Sequence, residues 1–310
     1  MGTIKEKPDK INGVCEYYDK SHTYIDKETD QKFISVTTLI HSYTNEFDPI
    51  FWSSYKAIEA LLDAEHFAPI KKVLLATKKF NSKILKIYNI DEEEFARKQS
   101  EILQGYEDEK NKSCERGTKI HAELENSFYG KSKFDFQKKF NIPVVGDNFI
   151  CRESFYDLLS VERGVFPEFL IYKTSSDGLL KVAGQIDLLI KDGNDIYIID
   201  HKSNKEIKKK SFYDKNKKKN ISMKFPLNHL DDCNYYHYTL QLSLYAYLIQ
   251  QINPDFVIKS LTLNHIDHND KVTLYDLEYL KEDVEKMLKH YKKQLKIKIE
   301  LEKDKAICLK

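Results

Sequence analysis

The sequence predicts an α/β (α+β) chain organised around one β-hairpin, and three features predict it. The stretch 182–202, VAGQIDLLIKDGNDIYIIDHK, reads as two apolar runs of strand length, 182–190 and 196–201, around Lys191-Asp192-Gly193-Asn194-Asp195. Helical periodicity occupies 48–112, 114–128, 235–252 and 276–298. Further strand patterns, 166–172 and 256–264, fall between these helices.

The hairpin carries the chemistry. With Gly193-Asn194 as a two-residue turn, Asp192 pairs with Asp195, and counting outward sets Asp187 opposite Asp200; a four-residue loop over 192–195 gives the same register. Directly opposed side chains lie about 4.5–5.5 Å apart at Cβ, where like charges repel. Two carboxylates so placed among isoleucines and leucines require a positive partner, and a divalent cation is the obvious one. Strand alternation brings Lys202 out beside Asp200, and the backbone carbonyl of His201 adds one more oxygen. Asp-x-Lys alone arises often by chance, as strand-end residues reaching solvent; Gly184-Gln185-Ile186-Asp187 one strand earlier, in this register, shifts the balance.

At 310 residues, 32% charged and 41% apolar, the chain has the composition of a globular protein with a well-charged surface. It holds no run of eighteen apolar residues, and MGTIKEKPDK lacks the apolar core of a signal peptide, so a cytoplasmic location without membrane contact is expected. Five cysteines, Cys15, Cys114, Cys151, Cys233 and Cys308, lie far apart with no C-x-x-C pair, which argues against a zinc module or a disulfide framework. Net charge is only +1, yet 203–224 holds nine lysines against Glu206 and Asp214. That run starts directly after Lys202. It is either a solvated or disordered tract or the place where a polyanion backbone is held, and both readings stay open.

In chain order, 1–13 is polar and expected to fray. Residues 17–24 and 32–38 read as a hairpin around Asp26-Lys27-Glu28-Thr29-Asp30. Ser35 suits a helix N-cap, while hydroxyls and free amides at a helix start, Ser35 and Thr37 here, also bind phosphate. Asp48-Pro49 opens a helical region with an apolar stripe of Phe51, Tyr55, Ile58, Leu61 and Leu62, and Asp91 with Glu94 reads as a capping box for a polar helix over 92–112. This region offers no candidate for chemistry and is read as a helical cap or arch. In the helix 114–128 His121 sits next to the stripe of Ile120, Leu124 and Phe128, where a lone histidine is commonly a satisfied, partly buried residue. A loop over 130–147 and a helix over 147–160 precede the strand 166–172. Glu168 at its start either faces the hairpin carboxylates or decorates a sheet edge, and the edge reading is favoured. In the helix 235–252 Gln241 and Tyr245 are adjacent on one surface.

The ordered set Gly117 to His121, Gly184 to Asp187, Asp200 to Lys202 and Gln241 to Tyr245 resembles the PD-(D/E)XK nuclease superfamily, and within it the RecB-like exonucleases, in which G-x-x-x-H, G-x-x-D, D/E-x-K and Q-x-x-x-Y follow in this order. The Ser35-Val36-Thr37 element is similar to one in the mitochondrial genome-maintenance branch. Residues 112–265 carry the likeness well and the N-terminal third only loosely. The resemblance implies a restriction-endonuclease-like core, a central mixed sheet flanked by helices, over 112–310 with a Lys-rich insertion 203–232, preceded by a hairpin and helical cap over 1–111. It implies that Asp187, Asp200, His121 and the His201 carbonyl hold Mg²⁺ or Mn²⁺, that Lys202 acts in catalysis, and that Gln241 and Tyr245 position the substrate. Lys205, Lys208, Lys209, Lys210, Lys217, Lys218 and Lys219 would grip a DNA backbone. The cysteines depart from the pattern of the iron–sulfur relatives, so no cluster is expected. The implied activity is a DNA exonuclease on single strands or ends, with recombination or replication proteins as partners and phage-encoded relatives by analogy. The rival readings are a non-catalytic DNA-binding subunit and a structure-specific endonuclease of the same fold.

Overall fold

The computed structural model describes residues 7–134, 139, 158–214 and 218–308. Its sheet is arranged around β6 (Lys181–Asp192), an apolar run buried on both faces. β5 (Arg163–Thr174) pairs antiparallel with β6 along its full length on one side. On the other side β6 has two partners in succession. β4 (Lys32–Ser35) lies parallel to it at Val182 and Ala183, and β7 (Asp195–Lys202) lies antiparallel from Leu188 to Asp192. Residues 184–187 fall in the gap between them. β4 and β7 therefore run towards each other, and their carboxyl ends meet at that gap.

The rest of the sheet widens outward from this fork. β10 (Val257–Ile266) adds parallel to β7, and β11 (Val272–Asp276) pairs antiparallel with β10. Beyond β4, β3 (Thr23–Asp26), β2 (Cys15–Tyr18) and β1 (Lys10–Asn12) follow antiparallel, which makes nine strands among the described residues. The mixed sheet flanked by helices is the architecture expected. β8 (Tyr213–Asp214) and β9 (Lys219–Asn220) form a separate ribbon.

The helices cover both faces. Ile196, Ile198 and Leu189 pack into one large cluster with Val36, Leu39 and Ile40 of α1 (Val36–His41) and with α6 (Asn234–Gln250), which is apolar nearly all round from Leu240 to Ile249. Val284 and Met287 of α7 (Lys281–Cys308) join the same cluster. On the opposite face Ile120, Leu124 and Phe128 of α5 (Glu92–Phe128) pack against Val165, Leu188, Ile190 and Ile199. Alternation along β6 and β7 thus sends neighbouring side chains to different helices.

The chain divides into two compact units, residues 1–45, 119–213 and 220–310 in one and 46–118 with 214–219 in the other. Residues 1–45 fall with the main sheet because β4 pairs with β6, so the division differs from the expected boundary at 111/112. The second unit comprises α2 (Pro49–Leu61), α3 (Ala64–Thr77), α4 (Lys83–Ile87) and the first part of α5, around Phe51, Tyr55, Ile58, Phe67, Leu74 and Phe95. Asp48 caps α2 through the Phe51 amide at 2.9 Å, and Asp91 caps α5 through the Glu94 amide at 2.7 Å.

Four local expectations change. Residues 10–12, expected to fray, form β1. The first hairpin strand is broken at Asp19–Ser21 by a 3₁₀ turn. One helix spans Glu92–Phe128 where two were expected, since neither proline nor a capping signal interrupts it at 113 and the interior glycines only weaken it locally. α7 starts at Lys281 rather than 276, because Asp276 is still paired with Thr262 in β11. Most of the helix expected over 147–160 lies outside the described residues, as does Lys217.

One buried ion pair ties the N-terminal strands to β6. Lys181 bonds Asp26, both nearly fully buried, and also reaches the Thr29 hydroxyl at 3.0 Å. Asp26 in turn accepts the Glu28 and Thr29 amides, so one carboxylate closes the β3–β4 turn and anchors the start of β6. These bonds hold its carboxyl below its ordinary value. Asp26→Ala leaves Lys181 buried and uncompensated and is expected to cost about 3–5 kcal/mol. Adding Lys181→Met should recover most of that loss. A denaturant midpoint unchanged by Asp26→Ala would contradict this; the wild-type contribution is present above about pH 4 and is lost as pH falls through the depressed pKa.

Candidate functional site

The gap on β6 ends at Asp187. Counting one step past Leu188↔Ile199 places Asp187 against Asp200, and counting along β5 places Glu168 against Asp187 from the other side. Three carboxylates from three adjacent strands therefore lie in a row. Asp187 is tied by accepting the His201 backbone amide at 2.6 Å. Glu168 has a φ of +49°, a left-handed conformation that non-glycine residues adopt inside a strand only at a cost of about 1–3 kcal/mol. Its side chain points into the cluster, with Oε1 3.4 Å from His121 Nδ1. The edge reading of Glu168 is corrected by this geometry: the carboxylate is 16% exposed and faces the other acids.

His121 comes from α5 on the opposite face. Its Nδ1 lies 3.6 Å from Asp187 Oδ2, and its Nε2 lies 3.1 Å from the His201 carbonyl oxygen. Burial opposes its protonation, but Asp187 and Glu168 outweigh burial and raise its pKa to about 9. Without a cation, the two acids therefore favour protonation of this imidazole.

Asp200 stands just beyond this group and is 1% exposed. Lys202 Nζ meets its Oδ2 at 2.5 Å, and Gln241 Nε2 of α6 donates to its Oδ1 at 2.9 Å. Burial pushes Asp200 up to about 6, against the pull of Lys202. Burial also raises Asp187, and the neighbouring Asp200 and Asp187 raise Lys202 despite its own burial. Tyr245, one turn beyond Gln241, lies over Gly184, and its buried hydroxyl is bonded to Gln241 and feels the charges of Asp200 and Asp187. A Cβ at Gly184 would stand 2.8 Å from Tyr245 Cε1 and 3.2 Å from Val36 Cγ2, so the glycine lets helix α6 approach the strand beside the carboxylates.

Several partners were not visible in sequence. Asn264 of β10, fully buried, donates Nδ2 to His201 Nδ1 at 3.0 Å and holds the residue whose amide and carbonyl both face the cluster. Lys202 Nζ lies 5.2 Å from the centroid of the Tyr238 ring, whose hydroxyl donates to Asn204 at 2.6 Å. A polar Asn inside the apolar run LTLNHI was the one available signal. Ser35 caps α1 through the Thr38 amide at 3.0 Å and lies 3.0 Å from the Thr37 hydroxyl, and Thr37 is exposed. The meeting of β4 and β7 puts this turn at the same gap, where its hydroxyls bond one another instead of the acids.

The described part of the lysine run is tied down at several points. The Asn234 side chain bonds Lys208 N and Glu206 O, both at 2.8 Å, and Asp231 accepts from Ser211 N and Asn220. Lys208 pairs with Glu206 at 3.0 Å, and Lys209 lies over the Tyr235 ring. Lys205, Lys208, Lys209, Lys210, Lys218 and Lys219 are exposed.

The donor set fits a hard divalent cation. One nitrogen of His121 and one oxygen each from Glu168 and Asp187 lie within 4.8 Å of one another. Donors around a single ion at about 2.1–2.4 Å must lie within roughly twice that distance, and oxygens with one imidazole suit Mg²⁺ or Mn²⁺. Glu168 joins His121 and Asp187 in this group, and Asp200 beside it is engaged by Lys202 and Gln241. No helix among the described residues is long and apolar enough to cross a membrane.

Residues 38–305 match the family model of the PD-(D/E)XK nuclease superfamily. No curated protein and no solved structure matches the chain. The matched span includes every residue of the cluster.

Gly184→Ala is expected to destabilise by about 1–3 kcal/mol through overpacking against Tyr245. Combined with Tyr245→Leu, the glycine replacement should cost markedly less than alone, a coupling that a double-mutant cycle in urea reads directly. Strict additivity would contradict the close approach.

Proposed function

Because this chain belongs to the PD-(D/E)XK nuclease superfamily, a superfamily of metal-dependent nucleases, we propose that it is an exonuclease acting on single-stranded DNA or DNA ends. The observation that carries the reading is the convergence of Asp187, Glu168, His121 and the His201 carbonyl at one point, with the Asp200–Lys202 pair beside it. In this reading the protein serves DNA replication or recombination. A phage origin, with action in the host cytoplasm, fits by analogy.

In the proposed reaction Glu168, Asp187, His121 and the His201 carbonyl would hold Mg²⁺ or Mn²⁺, which would supply charge stabilisation at the scissile phosphate and acidify a water. Asp200 acts differently, because its two oxygens fix Lys202 and accept Gln241, so the ammonium is aimed while staying charged. Lys202 orients the attacking water or meets the charge that develops on the phosphoryl oxygens. The Asn264 bond keeps the His201 amide on Asp187 and its carbonyl towards His121. Gln241 and Tyr245 brace these groups, and Lys205, Lys208, Lys209, Lys210, Lys218 and Lys219 hold the phosphate backbone without reading bases. The products carry a 5′-phosphate and a 3′-hydroxyl.

Asp187→Asn, Asp200→Asn and Lys202→Ala are each expected to lower divalent-dependent cleavage by about 10³-fold or more with the fold retained. Linear single strands labelled at either end, a duplex and a closed circle, each with Mg²⁺ or EDTA, read the outcome. Loss of linear strands with the circle intact supports the exonuclease; cutting of the circle assigns an endonuclease, and no cutting of any substrate contradicts the enzyme.

Proton and cation compete for His121. Calorimetry in buffers of different ionisation enthalpy should therefore show about one proton released when Mn²⁺ binds at pH 7, with affinity rising towards about pH 9 and levelling above it. Without divalent ions the stability contributed by protonated His121 is complete below about pH 6.5 and is lost as pH rises through about 9. His121→Ala should lower the proton release, leaving what the raised Asp187 contributes. Binding that is independent of pH would contradict the assignment.

A further inference from the structure

The Lys-rich insertion displays an aromatic side chain that packing does not explain. Phe212 is 77% exposed, the most exposed large hydrophobic residue described, and Tyr213 beside it is 52% exposed. The backbone beneath them is nonetheless fixed. The Phe212 carbonyl accepts the Ile221 amide at 3.0 Å, Ser211 N donates to the half-buried Asp231 at 3.1 Å, and Asn220 donates to the same carboxylate at 2.7 Å. Asp232 N returns to the Ile221 carbonyl at 2.9 Å, which ties the segment to the chain that enters α6.

A rigid backbone that projects a phenyl ring into water is costly unless the ring is used, because the apolar area is left in solvent while its mobility is already reduced. Three exposed lysines, Lys208, Lys209 and Lys210, closely precede it. The segment also begins at the catalytic candidate. Asn204, two residues after Lys202, is pinned by the Tyr238 hydroxyl on its side chain and by His265 Nε2 on its carbonyl at 2.7 Å. Phe212 is ten residues beyond Lys202, a chain reach of at most roughly 35 Å. A cationic backbone grip with an exposed aromatic face is the chemistry that holds unstacked bases. A duplex hides its base faces and offers phosphates and base edges instead.

We propose that Phe212 is a base-stacking residue, with Tyr213 as a second contact, and that it makes the insertion a binding site for single-stranded nucleic acid. The inference rests on the nuclease reading for the identity of the polyanion, but its test does not need cleavage. Phe212 and Tyr213 are consecutive at the start of an extended segment, so their side chains diverge and contact different bases.

The test is fluorescence anisotropy with a labelled single strand and its duplex, on the full chain, with EDTA to prevent hydrolysis. Phe212→Ala should weaken single-strand binding about tenfold, with Phe212→Trp restoring it, while duplex affinity changes less than about twofold. The dependence of affinity on salt should keep its slope, since the lysines remain. An equal loss on both substrates, no loss on the single strand, or a wild type that binds neither would overturn the proposal. Cleavage by the wild type, measured separately with Mn²⁺, reports on the nuclease reading: an inactive protein that still loses single-strand affinity on Phe212→Ala keeps the stacking site and removes the enzyme.

Discussion

Three acidic side chains from adjacent strands share one fork in the sheet, and the rest of the site follows from the need to keep them there. A pair of like charges about 4 Å apart near a protein surface repels by about 4 kcal/mol. That exceeds the cost of one strained backbone residue, so a left-handed Glu168 is sustained only if its carboxylate gains a positive partner. His121 and Lys202 are the partners the chain itself provides, and both are held more basic than usual by the acids around them. The raised Asp200 and Asp187 show the same tension from the other side, since burial dominates their surroundings.

The topology explains why this tension sits where it does. β6 changes partner from β4 to β7 between Ala183 and Leu188, which leaves the residues from Gly184 to Asp187 without a strand on one side. Groups from both faces of the sheet can then reach one point. His121 arrives from α5 across one face, Gln241 from α6 across the other, and the His201 amide and carbonyl come from β7 itself. Gly184 permits the approach of α6, because Tyr245 occupies the space a Cβ would take.

Much of this was legible in the sequence because strand register is arithmetic. The turn at Gly193-Asn194, with Gly193 at a φ of +60°, sets Asp192 against Asp195 as counted, and the faces of β7 follow from alternation. The Ser35 and Asp91 caps were equally visible, since each is a local side-chain bond. What depended on distant pairing was not. Glu168 looked like an edge residue because its orientation comes from a backbone conformation no local pattern announces. Asn264 and Tyr238 act through residues far away in the chain. β1 forms because β2 is there to pair with it, and the polar composition of 203–224 concealed the anchoring by Asp231 and Asn234.

Diffraction from crystals soaked in Mn²⁺, read through anomalous scattering, decides whether these side chains cage an ion. A single strong peak bonded to the Asp187 carboxylate, with Glu168, His121 and the His201 carbonyl as its other protein ligands, is the predicted result. Manganese bound elsewhere, or a cluster that keeps its His121–carboxylate contacts with no peak at saturating metal, would contradict it.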